Sequence, residues 1–98
     1  MNEKDLITIQ QFCVHYNIPI TFIDSLNEYE LIEVIALENA KYISVTQIKD
    51  IEKMIRLHFD LEINIEGVHA ISSLLRQVES LQDEVKKLNN KLSFYEDQ

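Results

Sequence analysis

Ninety-eight residues, 46% hydrophobic and 27% charged, make one globular domain's worth of chain. A core of that size is modest, so a partner subunit is expected. One glycine and one proline leave few chain breakers and favour helix, and a net charge of −8 argues against a generally basic, phosphate-binding surface. No apolar run approaches the ~20 residues of a membrane span, and the opening MNEKDLIT lacks the charged-then-apolar layout of a signal peptide. The expectation is a cytoplasmic protein that does not engage membrane.

Taken in chain order, Thr8 with Gln11 reads as a capping box flanked by Ile7 and Phe12. Ile9, Phe12, Cys13 and Tyr16 then give a short amphipathic helix, stopped by Asn17-Ile18-Pro19. Cys13, the only cysteine, cannot form an internal disulfide and reads as a small buried hydrophobe. Pro19 suits the first turn of a second helix whose inward stripe is Ile23 and Leu26, with Tyr29 at its edge. Ile20, Phe22, Asp24, Ser25 and Glu28 are left to point elsewhere. Two short helices across a tight turn predict a helix-turn-helix.

Leu31 to Leu37 is β-branched and partly alternating, "ENAK" is turn-like and "YIS" returns, which predicts a two-stranded hairpin, or wing. Ser44 with Gln47 repeats the capping box and predicts a third helix near residue 45, with a core stripe of Ile48, Ile51, Ile55 and Phe59. Asn64 caps a helix starting near residue 65, with Glu66 at its positive end. In it Ile71, Leu74, Val78, Leu81, Val85, Leu88, Leu92 and Tyr95 alternate spacings of three and four, a coiled-coil seam. Acid-before-base pairs such as Asp83 with Lys87 are expected outside it. The seam is about 37 Å long, too far for the rest of the chain to cover, and predicts a homodimer. The fold class is mainly α with a small β-hairpin: a winged helix-turn-helix domain over residues 1–63, then a coiled-coil dimerisation helix over 64–98.

Charge is unevenly spread. Residues 1–40 carry seven acids and Lys4 as the sole base, whereas 41–98 carry ten acids and eight bases. From Asp5 to Ala40 there are six acids and no Lys or Arg. Catalytic apparatus is not visible: Gly67 is the only glycine, so no phosphate-cradling loop exists, and no serine sits in a nucleophile motif. His15, His58 and His69 are scattered and read as surface residues, and no metal or cofactor is expected.

The stretches "TIQQFCVHYNI" and "RLHFDLEINIEGV", with the coiled-coil tail, resemble the chaperone-modulator family CbpM, over about Ile7 to Tyr95. Phe12-Cys13 followed by His15, and Leu61, Ile63 and Gly67, carry the likeness; Tyr42 stands where relatives can carry a larger aromatic. The architecture resembles MerR-type regulators stripped of a separate effector domain. The resemblance implies a MerR-like fold, antiparallel dimer helices and a non-catalytic role: binding the J-domain of a DnaJ-type co-chaperone and blocking its access to its heat-shock chaperone and to DNA-linked activity.

J-domains present a basic helix, and an acidic helix-turn-helix face complements it while repelling phosphates. The predicted partner surface is Ile20, Phe22, Asp24 and Glu28 of the second helix with Glu30, Glu33 and Tyr42 of the wing. Phe22 is its expected anchor. The alternative is a MerR-type DNA-binding transcriptional regulator, for which Lys41, Lys49, Lys53 and Arg56 would have to rebuild a basic footprint. A generic coiled-coil adaptor is the third reading.

Overall fold

The structure is a computed structural model that describes residues 5–96; the termini carrying Glu3, Lys4 and Asp97 lie outside the described residues. A strand β1 (Leu6–Thr8) leads directly into α1 (Ile9–Tyr16), followed by α2 (Ile20–Glu28). The hairpin strands are β2 (Ile35–Leu37) and β3 (Ala40–Ser44). A 3₁₀ turn at Val45–Gln47 enters α3 (Ile48–Ile55), a wider π turn spans Arg56–Asp60, and α4 runs from Ile65 to Glu96.

The caps largely follow the sequence. Thr8 accepts from the Gln11 amide at 3.1 Å, and Asn64 accepts from the Gly67 amide at 2.8 Å. Gly67 is required there, since a Cβ would stand 2.6 Å from the Ile63 Cγ2 methyl, a stiff β-branched group, and 3.1 Å from the capping Asn64 Oδ1. Pro19 precedes α2 as its cap residue and lies outside the first turn. The Ser44 cap opens only the 3₁₀ turn, accepting from the Thr46 amide, and α3 begins three residues later than predicted. Gln47 forms no capping box with Ser44. Its side-chain amide clamps the Glu33 backbone instead, accepting from Glu33 N at 2.8 Å and donating to Glu33 O at 2.9 Å.

The sheet has three strands, ordered β1-β3-β2 and antiparallel throughout. The predicted two-stranded wing therefore gains a strand, because Leu6–Thr8 pairs with Tyr42–Ser44 before the chain turns into α1. Its first predicted strand shrinks to Ile35–Leu37. Leu31 and Ile32 are buried in the core but belong to the connection after α2. That connection is set by the end of α2: Glu30 adopts a left-handed conformation (φ 58), Glu30 N donates to Asn27 O, and Leu31 N donates to Leu26 O. These are the paired bonds of a Schellman stop, with Leu26 and Leu31 in the accompanying apolar positions. Asn17 closes α1 in the same way (φ 55), with Ile18 N reaching Cys13 O.

The core joins Ile9, Phe12 and Cys13 of α1 to Phe22, Ile23 and Leu26 of α2, Ile43 of β3, Ile51 and Met54 of α3, and Val68 of α4. Met54 replaces Phe59 on the α3 stripe; Phe59 lies in the π turn and is exposed. The turn displaces it because its i→i+5 bonding widens the helix and rotates later side chains out of the α-helical register. Val68 is fully buried, so the start of α4 is part of the same core.

Beyond that start, α4 leaves the globular part. It has 32 residues, about 48 Å of helix at the standard rise, in a molecule whose longest dimension is 59 Å. Leu74, Val78, Leu81, Val85, Leu88, Leu92 and Tyr95 are all exposed, and Ile71 is half-buried. Among the described residues the ion pair within 4 Å is Lys53 with Glu79 at 3.9 Å, not the expected Asp83 with Lys87. Both its partners are about half exposed or more, so it adds little stability.

Candidate functional site

The outer face of α2 is positioned by what its inner face buries. Ile23 and Leu26 are fully inside, which turns Ile20, Asp24 and Glu28, spaced by four, toward solvent. Ile20 is 46% exposed and Val14 of α1, close by, 81%. Phe22 is not on this face. It is 4% exposed, with its ring 5.0 Å from those of His58 and Phe59. The anchor role expected for Phe22 is therefore corrected: it joins α2 to the π turn and is a core residue. Position 22 follows Ile20 by only two residues, so it leaves α2 on another face, which the π turn after α3 covers.

His58 is correspondingly no surface histidine. Half-buried, it stacks on Phe22, and its Nδ1–H donates to the Ile63 carbonyl at 2.8 Å, pinning the link into α4. Tyr29, at the end of α2, is partly exposed and ties the same link from the other side: its hydroxyl donates to Glu66 Oε1 at 2.8 Å. That bond holds the Glu66 carboxyl below its ordinary pKa and the Tyr29 hydroxyl above its own. On α1, the Tyr16 hydroxyl donates to Glu52 Oε2 of α3 at 2.9 Å, which raises the Tyr16 pKa.

Two clefts flank Ile20. One is walled by Ile9 and Gln10 of α1, Ile20 and Asp24 of α2, and Ala40 and Lys41 of the hairpin. The other lies over the corner between the helices, around Gln10, Cys13, Val14, Asn17, Ile18 and Ile20. Burial raises the Cys13 thiol pKa, with the Asp24 carboxylate adding to the shift. Cys13 is the small buried side chain expected of it.

The other predicted site residues gather less closely. Glu30 is the left-handed residue of the α2 stop, Glu33 is exposed with its backbone clamped by Gln47, and neither borders these clefts. Tyr42, half-buried in the central strand between Thr8 and Ile35, alternates with the fully buried Ile43 and so faces the other side of the sheet. The hairpin brings Lys41 to the cleft, not Tyr42. Val14 and Ile18 were missed by the sequence reading. The signal was present, since Val14 falls off the Ile9, Phe12, Cys13, Tyr16 stripe on an otherwise polar face.

Three of the bases lie on other elements. Lys49 and Lys53 lie one turn apart on α3, followed by Arg56 in the π turn, all exposed. Among the described residues no three His, Cys, Asp or Glu side chains are grouped to hold a metal ion, and no helix is long and apolar enough to cross a membrane.

The profile of the MerR HTH family of regulatory proteins matches residues 7–90, from β1 through most of α4. No curated protein and no solved structure matches the chain. A family match over that span, on two helices joined by a tight turn, a small sheet and a long terminal helix, places this chain in the MerR HTH family of regulatory proteins.

Proposed function

We propose that this MerR-family chain is a non-catalytic chaperone modulator. As a homodimer joined through α4, it binds the J-domain of a DnaJ-type co-chaperone by its helix-turn-helix face and inhibits it. One observation carries the reading: the exposed face of α2 holds Ile20, Asp24 and Glu28, within a stretch free of Lys and Arg from Asp5 to Ala40. Such a face repels phosphates, whereas it complements a basic protein helix. The resemblance to the CbpM family supplies the identity of the partner. The exposed apolar seam of α4 supports the dimer, since a row of seven exposed apolar side chains at heptad spacing gains stability when a second helix covers it.

The test is titration of the isolated J-domain into the full chain at low and at physiological salt. A complex weakened by Asp24→Lys with Glu28→Lys, mainly through slower association, is expected. Lack of any complex at low salt rejects the reading. Family membership itself favours a second reading, a DNA-binding transcriptional regulator, for which Lys41, Lys49, Lys53 and Arg56 are the available cations. A sequence-specific mobility shift that survives physiological salt selects it.

A further inference from the structure

We propose that the corner formed by Val14, Ile18 and Ile20, bordered by Asp24, is an apolar shelf that seats the aliphatic face of a Lys- or Arg-bearing amphipathic helix. This deepens the protein-partner reading above and rests on it. A single exposed valine is ordinary. Here, however, Val14 at 81% exposure and Ile20 at 46% stand around one open cleft with half-buried Ile18, an apolar surface contributed by two helices and their connection.

The shelf is built before any partner arrives. Asn17 N donates to Val14 O at 3.3 Å and Ile18 N to Cys13 O at 3.0 Å, with Asn17 left-handed and Pro19 fixing the entry to α2. Cys13, beneath it, is nearly fully buried. Fixed backbone on both sides means that little ordering is needed on binding.

Charge selects the occupant. Asp24 and Glu28 follow Ile20 at four-residue spacing, so an occupant lying along α2 meets apolar surface first and carboxylates one and two turns later. Lys41 of the hairpin lines the neighbouring cleft, and among the described residues no Lys or Arg lines the shelf's own cleft. Nucleic acid and anionic lipid are repelled by the carboxylates, and a second copy of a chain with net charge −8 is repelled overall. A basic amphipathic helix satisfies both halves of the surface.

The full-length chain, isotopically labelled for NMR, is titrated with three probes: an isolated J-domain, a synthetic Lys- and Leu-bearing amphipathic helical peptide, and anionic vesicles. Resonances of Val14, Ile18 and Ile20 are expected to shift with the first two and not with vesicles. Val14→Asp and, separately, Ile20→Asp are expected to weaken binding tenfold or more through faster dissociation, with the salt dependence retained, and Val14→Leu to bind as wild type. Circular dichroism checks that each variant is folded. Wild-type binding to the J-domain with undiminished binding by both folded Asp variants overturns the shelf and leaves the partner reading standing. Peptide binding at the shelf without J-domain binding supports the shelf and removes the J-domain. Shifts at the shelf with vesicles, or with none of the probes, overturn the proposal.

Discussion

The same alternation of apolar residues at spacings of three and four has opposite fates in the two parts of this chain. In α1 to α3 the periodic residues Phe12, Ile23, Leu26 and Ile51 are completely buried by one another and by the sheet. In α4 the pattern is more regular, yet from Leu74 onward its members remain exposed, with Leu88 at 63% and Tyr95 at 71%. Periodicity therefore announces an apolar face, whereas the length of the element decides whether its own chain can cover it. A helix of eight or nine residues stays within reach of a small core; one of 32 residues does not.

The comparison is broken most forcefully by putting charge into the α4 seam. Leu81→Asp with Leu88→Asp is expected to convert the proposed dimer fully to monomer, because unpaired carboxylates cannot be buried between helices. Sedimentation at tens of micromolar measures it, and a wild-type monomer under those conditions removes the contrast. A second test separates two neighbouring rings. Phe22→Ala is expected to cost ~3–5 kcal/mol in denaturant unfolding, while Phe59→Ala, whose ring is exposed on the same stack, is expected to cost well under half of that. Equal losses would mean that the π turn is as much core as α2.

A smaller effect sharpens how the globular part stops its helices. Glu30 holds a left-handed backbone that costs a non-glycine residue ~1 kcal/mol, so Glu30→Gly is expected to raise the unfolding free energy by up to about that amount. An unchanged or lower midpoint would show that the Glu30 side chain compensates. The smallest concerns the tie between the two parts. With its folded pKa depressed by the Tyr29 hydroxyl, Glu66 stabilises the fold at pH above the ordinary carboxylate range, and the contribution is lost as pH falls through the depressed value. Tyr29→Phe is expected to remove that part of the acid dependence of the melting temperature and to return the Glu66 carboxyl, followed by NMR, toward its ordinary titration. Both groups are solvent-exposed, so the shift in melting temperature is small.

Side-chain chemistry local to a few residues was readable directly. Thr8 and Asn64 cap the helices they were expected to cap, each side-chain oxygen accepting from the amide three residues on that the first turn leaves free. The helix stops were harder to read. With one glycine in the chain, the left-handed positions after helices fall to Asn17, Glu30 and Glu62, and nothing in a glutamate announces that conformation. Missing the stop at Glu30 is what let Leu31 and Ile32 pass for strand, since both a strand and a buried connection need apolar residues there.

The candidate surface divides along the same line. Its acidity was determined by sequence alone, since charge counts need no coordinates, and so was the length of the terminal helix, since an unbroken seam admits one conformation. Which apolar residues accompany the acids was decided only by tertiary packing. The π turn after α3 brings His58 and Phe59 over Phe22 and buries it, while among the described residues Val14 and Ile20 at the α1–α2 corner stay exposed. Helical spacing sets the direction in which a side chain leaves its own helix; whether another element waits in that direction depends on contacts thirty or more residues away, for which a local pattern carries no information.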